Sequence, residues 1–268
     1  MNYALLDRGD PLSQKLSSQF HALAAERGLA PDEAAPDLVL SIGGDGTMLQ
    51  AFHRFRDRID RVSFVGVHTG HLGFYADWKK DELAELVELI GAEKPHKVQY
   101  PLLQIEIHAD AGTAAYLVLN EFTLKSVDGT LVARININDE PFEMFRGDGI
   151  VVSSPSGSTG YNKSLGGAVI HPSFECLQIA EIASINNRVY RTLGSSVILP
   201  KHHHCDIVPD QEEELFIGID HMIMQMNHVR SITCRVAEEK ITFARYRPYP
   251  FWDRVRAAFI GDLADKRP

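Results

Sequence analysis

The chain is poor in cysteine, carries no excess of positive charge and has no long apolar run. Its three cysteines, Cys176, Cys205 and Cys234, are odd in number and far apart, which argues against a disulfide framework and suits a reducing compartment. No apolar stretch approaches the roughly 18–20 residues needed to cross a bilayer. The opening MNYALLDRGD lacks the basic segment and apolar stretch of a secretory signal, so a cytoplasmic protein is expected. A formal net charge of -9 offers no field to draw nucleic acid or an anionic membrane, and neither is an expected partner. Any polyanionic substrate must be held by local features. Internal repeats and low-complexity tracts are absent as well. What remains is an ordinary globular composition, 44% hydrophobic, with enough chain at 268 residues for one large core or two modest ones.

Two textures divide the chain. The first part alternates strand and helix signals. After YALLD comes a helix from about Pro11, which Asp10 and Pro11 are suited to start and Gly28 to end, with Leu12, Leu16, Phe20 and Leu23 on one face. The strand DLVLSI, the helix TMLQAFHRF, the apolar strand VSFVGV and a helix with Leu83, Leu86, Val87 and Ile90 in phase follow. Strands buried on both faces and separated by helices predict a parallel sheet, hence an α/β N-terminal domain over 1–98. After about Lys97 the period falls from 3.6 to 2, as in Leu103-Gln104-Ile105-Glu106-Ile107, with Asp128-Gly129 and Asn138-Asp139 as turns. A mostly antiparallel β domain is expected over 99–249. One helical interruption is expected at about 173–184, carrying Leu177, Ile179, Ile182 and Ala183. Strand-like runs then resume at ELFIGID, SITCRVA and KITFARY. The stretch RYRPYPFW leads into a short helix at about 252–260, apolar on one side through Trp252, Val255 and Phe259. This helix is expected to pack back, so that 250–268 completes the first domain.

The run Ser41-Ile42-Gly43-Gly44-Asp45-Gly46-Thr47 ends an apolar strand and opens a helix, which puts it at the carboxyl edge of a parallel sheet, where open α/β folds bind ligands. Glycines let backbone approach a phosphate, and a helix start favours an anion. The chain contains no Gly-Lys pair for a P-loop, and GGDG does not fit the Rossmann dinucleotide spacing. Asp45 is costly beside phosphates unless a metal neutralises them or the carboxylate must accept a proton. The competing reading is a turn Asp that caps the following helix. A second loop, Ser153 to Tyr161, is crowded with hydroxyls and N–H donors and lacks the Gly-x-Ser-x-Gly spacing of a hydrolase elbow. It could hold a ribose, an adenine edge or a phosphate, or be a plain Ser/Gly loop. Asn120-Glu121 interrupts what should be one strand, and polar groups there need partners.

Taken together, GGDGT at 43–47, NE at 120–121, RGDG at 146–149, SPSGSTGYNKSLGG at 154–167 and HP at 171–172 resemble the NAD kinase family. The likeness runs nearly end to end, through GVHTGHLGFYADW and RYRPYPFW, and is nearest to the bacterial branch. It implies an α/β domain joined to a β-sandwich, and an enzyme that phosphorylates the 2′-hydroxyl of the adenosine ribose of NAD. ATP or polyphosphate would be the donor, with a divalent metal such as Mg²⁺. On that likeness Asp45 is the general base, and Gly43, Gly44, Gly46 and Thr47 contact phosphates. NAD contacts are implied for Gly46, Phe74, Asn120, Glu121, Asp148, Ser156, Thr159, Gly160, Tyr161, Ser164, Asp220 and His221. No protein metal ligand is implied. Family members are homo-oligomers, so a dimer or tetramer is expected, with the NAD site near a subunit boundary. One departure is visible: Gly160 stands where the loop commonly carries Ala, for which slightly altered nucleotide affinity is expected.

Two rival functions share part of this pattern. A lipid or diacylglycerol kinase shares the GGDGT loop, but Asn120-Glu121 and the 154–167 loop count against it. A non-catalytic dinucleotide sensor could dispense with Asp45. The stretch KHHHCD at 201–206 offers zinc-type ligands, yet adjacent residues rarely point at one ion, so a surface or turn segment is the expected reading. His68 and His71 are assigned no chemistry; their loop is read as a ligand wall contributing Phe74.

Overall fold

The computed structural model describes residues 1–70, 72–210 and 214–261. His71 and residues 262–268 of the expected completing segment lie outside the described residues. The chain divides into two compact units, Met1–Tyr100 with the chain from Ile241 onward, and Pro101–Lys240.

In the first unit the strands Leu38–Gly43 and Ser63–His68 are buried at every residue, as strands covered on both faces by helices must be. They run parallel to each other and to Asn2–Asp7, which also pairs with Ala30–Pro31. The end of the long strand Val229–Arg245 adds alongside, Phe243 opposite Phe64. Helix Pro11–Glu26 starts as its sequence predicts: the Asp10 carboxylate accepts from Leu12 N–H at 3.1 Å and Ser13 N–H at 3.2 Å. Its buried face is turned slightly from the expected one, because Ser13 and Ser17 let it approach closely while Leu12 is exposed. Helices Asp45–Phe55 and Leu83–Ala92 supply further cover, the latter burying Leu83, Leu86, Val87 and Ile90.

The last helix, Phe251–Phe259, is part of this unit, and the rings of Phe251 and Phe259 lie 6.2 and 5.9 Å from that of Phe74. Beside it is a buried ion cluster. The Asp77 side chain is 1% exposed and accepts from both Arg245 and Arg254, themselves 4% and 9% exposed. Arg247 donates to Asp77 O and to Glu82, and its guanidinium lies over Trp78 at 4.0 Å.

The second unit is a pair of facing antiparallel sheets. One has the order Val197–Pro200, Cys176–Ile182, Gly149–Ser153, Glu121–Ser126, Leu215–Ile219, Met222–Met226. The other contains Glu140–Gly147, Leu131–Ile137, His204–Pro209 and the long strand. Phe122, Leu124, Ile150, Val152 and Ile217 from the first meet Ile135, Phe145, Ile207 and Ile232 from the second in one core. Asn138 and Asp139 adopt φ of 51° and 68°, the left-handed pair that a two-residue hairpin turn requires.

The helix expected at 173–184 is instead the strand Cys176–Ile182. Leu177 and Ile179 face the core while Gln178 and Ala180 are covered on the other side, and an apolar run buried on both faces has no period that separates strand from helix. The separate runs SITCRVA and KITFARY are one strand, Val229–Arg245, and Met222–Met226 adds an edge strand that went unread.

Removing one partner of a buried ion cluster strands the others. Asp77→Ala is expected to destabilise the protein by about 3–5 kcal/mol in urea unfolding. A loss under about 1 kcal/mol would show that the two guanidinium groups find water or other acceptors.

Candidate active site

The candidate site residues gather in two groups, one in each unit. In the first, Gly43 ends its strand buried, and a Cβ there would strike Thr47 Oγ1. Gly44 is the cap residue of the helix that Asp45 opens. Thr47 and Met48 N–H turn back to Gly44 O, while no hydrogen bond from Asp45 or Gly46 N–H is made among the described residues. The Asp45 side chain does not cap its own helix, which removes the competing reading of this residue. It reaches instead to a distant loop, accepting from Phe74 N–H at 2.9 Å and Tyr75 N–H at 3.1 Å. That approach requires Gly73, since a Cβ there would lie 2.2 Å from Asp45 Oδ1. Burial pushes the Asp45 carboxyl above its ordinary range, and the two N–H donors, then the Arg254 guanidinium and His68, oppose the rise.

The loop that supplies those donors is held from behind. Arg254 donates to Gly73 O at 2.9 Å and Ala76 O at 2.5 Å, and the Tyr249 hydroxyl donates to Phe74 O. Gly73, Asp77, Arg245, Tyr249 and Arg254 were not singled out from sequence. The available signal was the density of Arg and Tyr in RYRPYPFWDR, with Asp77 as a lone acid in an aromatic run.

In the second unit, Asp220 organises the turn at Asn120-Glu121. Its carboxylate accepts from Leu119 N–H at 3.0 Å, Asn120 N–H at 2.6 Å and Glu121 N–H at 3.2 Å, from a hairpin position with φ 51°. The second loop packs on the same turn. Ser154 and Ser156 hydroxyls both donate to Leu119 O, at 2.5 and 3.1 Å, and Ser154 N–H donates to Asn120 O at 2.9 Å. Gly157 is required there, because a Cβ would lie 2.1 Å from Asn120 O. Thr159 Oγ1 donates to Ser156 O at 3.4 Å, closing the short helical turn.

This packing leaves Glu121 Oε2 buried without a hydrogen-bond partner among the described residues. Burial, with Asp220's charge adding to it, pushes the Glu121 carboxyl up to about 7. A Cβ on Gly160 would sit 3.2 Å from that oxygen, so the missing methyl of the family's usual Ala leaves room beside it. Tyr161 holds its ring 5.2 Å from Lys125 Nζ, on the strand that Glu121 opens. Asp148 lies at the far end of the neighbouring strand, exposed, and Ser164 is exposed with its hydroxyl on Tyr161 O at 2.8 Å. His221 is exposed beside Asp220 in the hairpin turn.

KHHHCD is not one ligand set. Cys205 points into the core, while His204 and Asp206 gather with Asp139, their ligand atoms within 4.8 Å of one another. Thr233 Oγ1 donates to Asp206 at 2.6 Å. Among the described residues this is the one His/Asp/Glu/Cys grouping close enough to share an ion. The 43–47 loop has a single carboxylate, already committed to two N–H donors.

Comparison with known proteins matches each half. The ATP-NAD kinase N-terminal domain matches residues 18–94 and the ATP-NAD kinase C-terminal domain residues 119–245. The chain belongs to the ATP-NAD kinase family. It is 51% identical over 263 residues to NAD kinase 1 of Bacillus subtilis, covering 97% of this chain and 99% of that one. It is 52% identical over 264 residues to NAD kinase 1 of Halalkalibacterium halodurans, covering 98% and 100%. The fold is shared with yeast NADH kinase, solved with NADH, at TM-score 0.86 and 16% identity over 100% of this chain and 89% of that one. It is also shared with an Archaeoglobus fulgidus NAD kinase solved with ATP, at TM-score 0.74 and 19% identity over 92% and 94%. Within the ATP-NAD kinase domains of this chain, the N-terminal match contains Asp45 and Gly73. The C-terminal match opens at the Asn120-Glu121 turn and ends at Arg245, short of Arg254.

Glu121 gives this site a pH signature. A carboxyl at about 7 in the folded protein binds a proton that the unfolded chain, near its ordinary 4.5, releases earlier. Stability therefore falls as pH rises from about 4.5 through about 7. Glu121→Gln is expected to flatten that slope in urea unfolding between pH 5 and 7.5, as measured beside the wild type. Equal slopes would mean that Glu121 titrates at its ordinary value.

Proposed function

We propose that the protein is an NAD kinase, transferring a phosphoryl group from ATP to the 2′-hydroxyl of the adenosine ribose of NAD to give NADP. The family supports the activity, and Asp45 is the observation that carries the mechanism. A partly buried carboxylate, held by two N–H groups at the mouth of a helix, keeps a lone pair on each oxygen for an incoming hydroxyl. Its raised pKa moves it toward working pH, as a general base requires. Asp45 takes the proton of the 2′-hydroxyl as that oxygen attacks the terminal phosphorus. The bond from that phosphorus to the bridging oxygen breaks opposite the attack, and this oxygen leaves as part of the nucleoside diphosphate.

Phosphoryl transfer demands positioning more than covalent help from the protein. The open N–H groups of Asp45 and Gly46, with Gly43, Gly44 and Thr47 shaping the loop, are assigned to donor phosphate. Phe74 serves as an apolar wall. Glu121, about half protonated at neutrality, offers a buried O–H donor beside Asn120 for a ribose hydroxyl. Asp220 fixes that pair through their backbone, with His221 beside it, while Ser156, Thr159, Gly160 and Tyr161 are assigned to the second wall and Asp148 and Ser164 to the nicotinamide end. The one carboxylate of the 43–47 loop already accepts two N–H groups, so a divalent ion such as Mg²⁺ would be held chiefly by the substrate's phosphates and would supply neutralisation of charge on the transferring group. Polyphosphate, a chain of the same groups, is a further candidate donor.

With Mg²⁺, ATP and NAD, the pure protein is expected to form NADP, detected by a coupled NADP-specific dehydrogenase; no NADP under these conditions would refute the reading. Asp45→Asn is expected to fold, at a cost of about 1–3 kcal/mol for one N–H left facing an amide donor. It should still bind NAD and lose roughly 10²–10⁴ in kcat. Wild-type turnover in that variant would remove Asp45 from the mechanism.

A cytoplasmic homo-oligomer is proposed as well. The three cysteines are free and buried, as suits a reducing compartment. No helix among the described residues is long and apolar enough to cross a membrane. On the sheet face turned from the core, Phe216 and Ile223 are 36% and 79% exposed, Ile223 on an edge strand. Light scattering is expected to give a dimer or tetramer mass, and Ile223→Glu to shift it toward the monomer. A monomeric wild type would end this proposal.

A further inference from the structure

We infer that Arg254 is a positioning residue for Asp45, fixing the loop that holds the carboxylate and balancing its charge. The inference rests on the reading of Asp45 as general base and extends it to a residue on another element, outside the glycine loop. One guanidinium makes every connection needed. Arg254 Nη1 donates to Gly73 O at 2.9 Å and to Ala76 O at 2.5 Å, the carbonyls that bracket Phe74 and Tyr75. Its Nη2 donates to Asp77 Oδ1 at 2.9 Å, and its plane lies 4.0 Å over the Tyr249 ring, whose hydroxyl holds Phe74 O. The segment that offers two N–H groups to Asp45 is therefore tied at Gly73, Phe74, Ala76 and Asp77. A five-donor planar fork can do this, and a lysine ammonium cannot do it equally.

Charge counting leads to the same residue. Arg245 and Arg254 bring two positive charges into a buried cluster where Asp77 supplies one negative charge, and Arg247 is matched by Glu82. One positive charge is left over, and Asp45, in contact with Gly73, is the acid placed to balance it. The titratable groups that face Asp45 are Arg254 from the last helix and His68 from the strand Ser63–His68, whose Nδ1 lies 2.9 Å from Gly70 O. Both favour the ionised carboxylate, against the desolvation that disfavours it.

The test compares Arg254→Gln with Arg254→Lys in the full chain, reading kcat, KM for NAD, the pH profile of kcat/KM and thermal unfolding. Gln removes the charge, so the carboxyl rises further and the acidic limb of the profile moves to higher pH. kcat is expected to fall by about 10²-fold from loop misplacement, with KM for NAD changed by less than about threefold. Lys keeps the charge and loses the fork, so its acidic limb stays in place while kcat falls by about tenfold. Should the Gln variant not fold, the Lys variant decides: wild-type kcat in it overturns the inference. An unmoved acidic limb in a folded Gln variant overturns it too. Asp45→Asn, measured alongside, separates the two readings. If it keeps wild-type turnover, the general-base reading fails. If it is inactive while Arg254→Gln keeps the wild-type profile, the Arg254 inference alone fails.

Discussion

A carboxylate buried between two guanidinium groups holds the first unit in its working shape. Asp77 lies in the loop after the strand Ser63–His68, and Arg245 and Arg254 come from the far end of the chain. Burying three charges is unfavourable until they meet, so the loop and the C-terminal segment are stable only together. The same meeting presents Phe74 and Tyr75 N–H to Asp45. The ion cluster and the Asp45 carboxylate are thus joined through one loop.

The second unit solves the same problem with a different group. Asp220 satisfies three successive backbone N–H groups at once, and so holds the Asn120-Glu121 turn in a shape no regular strand would adopt. Each unit therefore sets a structural acid near one in a desolvated position: Asp77, bonded to two guanidinium groups, with Asp45, and Asp220, bonded to backbone, with Glu121. In each case the second acid has a pKa above its ordinary value, with desolvation as the first cause. Desolvation disfavours the ionised form of both, the property that the proposed proton exchange with a hydroxyl requires.

The parallel strands and their helices were legible because their periods are clean: Leu83, Leu86, Val87 and Ile90 can only be a buried helical stripe, and DLVLSI only a strand covered on both sides. Cys176–Ile182 was not, because both of its faces are covered and its alternation is lost. Asp45 was legible as an anomaly of charge among glycines. Arg254 was not, since its role depends on a contact 177 residues away with Asp77 and leaves no local pattern. Long-range polar contacts of this kind carry no period and no spacing, so sequence texture cannot reveal them.

The glycines in the functional loops show the limit of a sequence argument in another way. Glycine suggests a left-handed backbone, yet none of Gly43, Gly44, Gly46, Gly73, Gly157 and Gly160 has a positive φ. They are needed for space. Side chains at Gly43, Gly73 and Gly157 would strike Thr47, Asp45 and Asn120, so these three let one part of the site rest on another. A Cβ on Gly44 or Gly46 would meet nothing within 4 Å, so the fold itself does not require glycine there. Bare backbone at these two positions is what the proposed phosphate contact calls for. A group that must come within hydrogen-bond reach of main-chain N–H at a helix mouth, and that tolerates no methyl in between, has the properties of a phosphate oxygen.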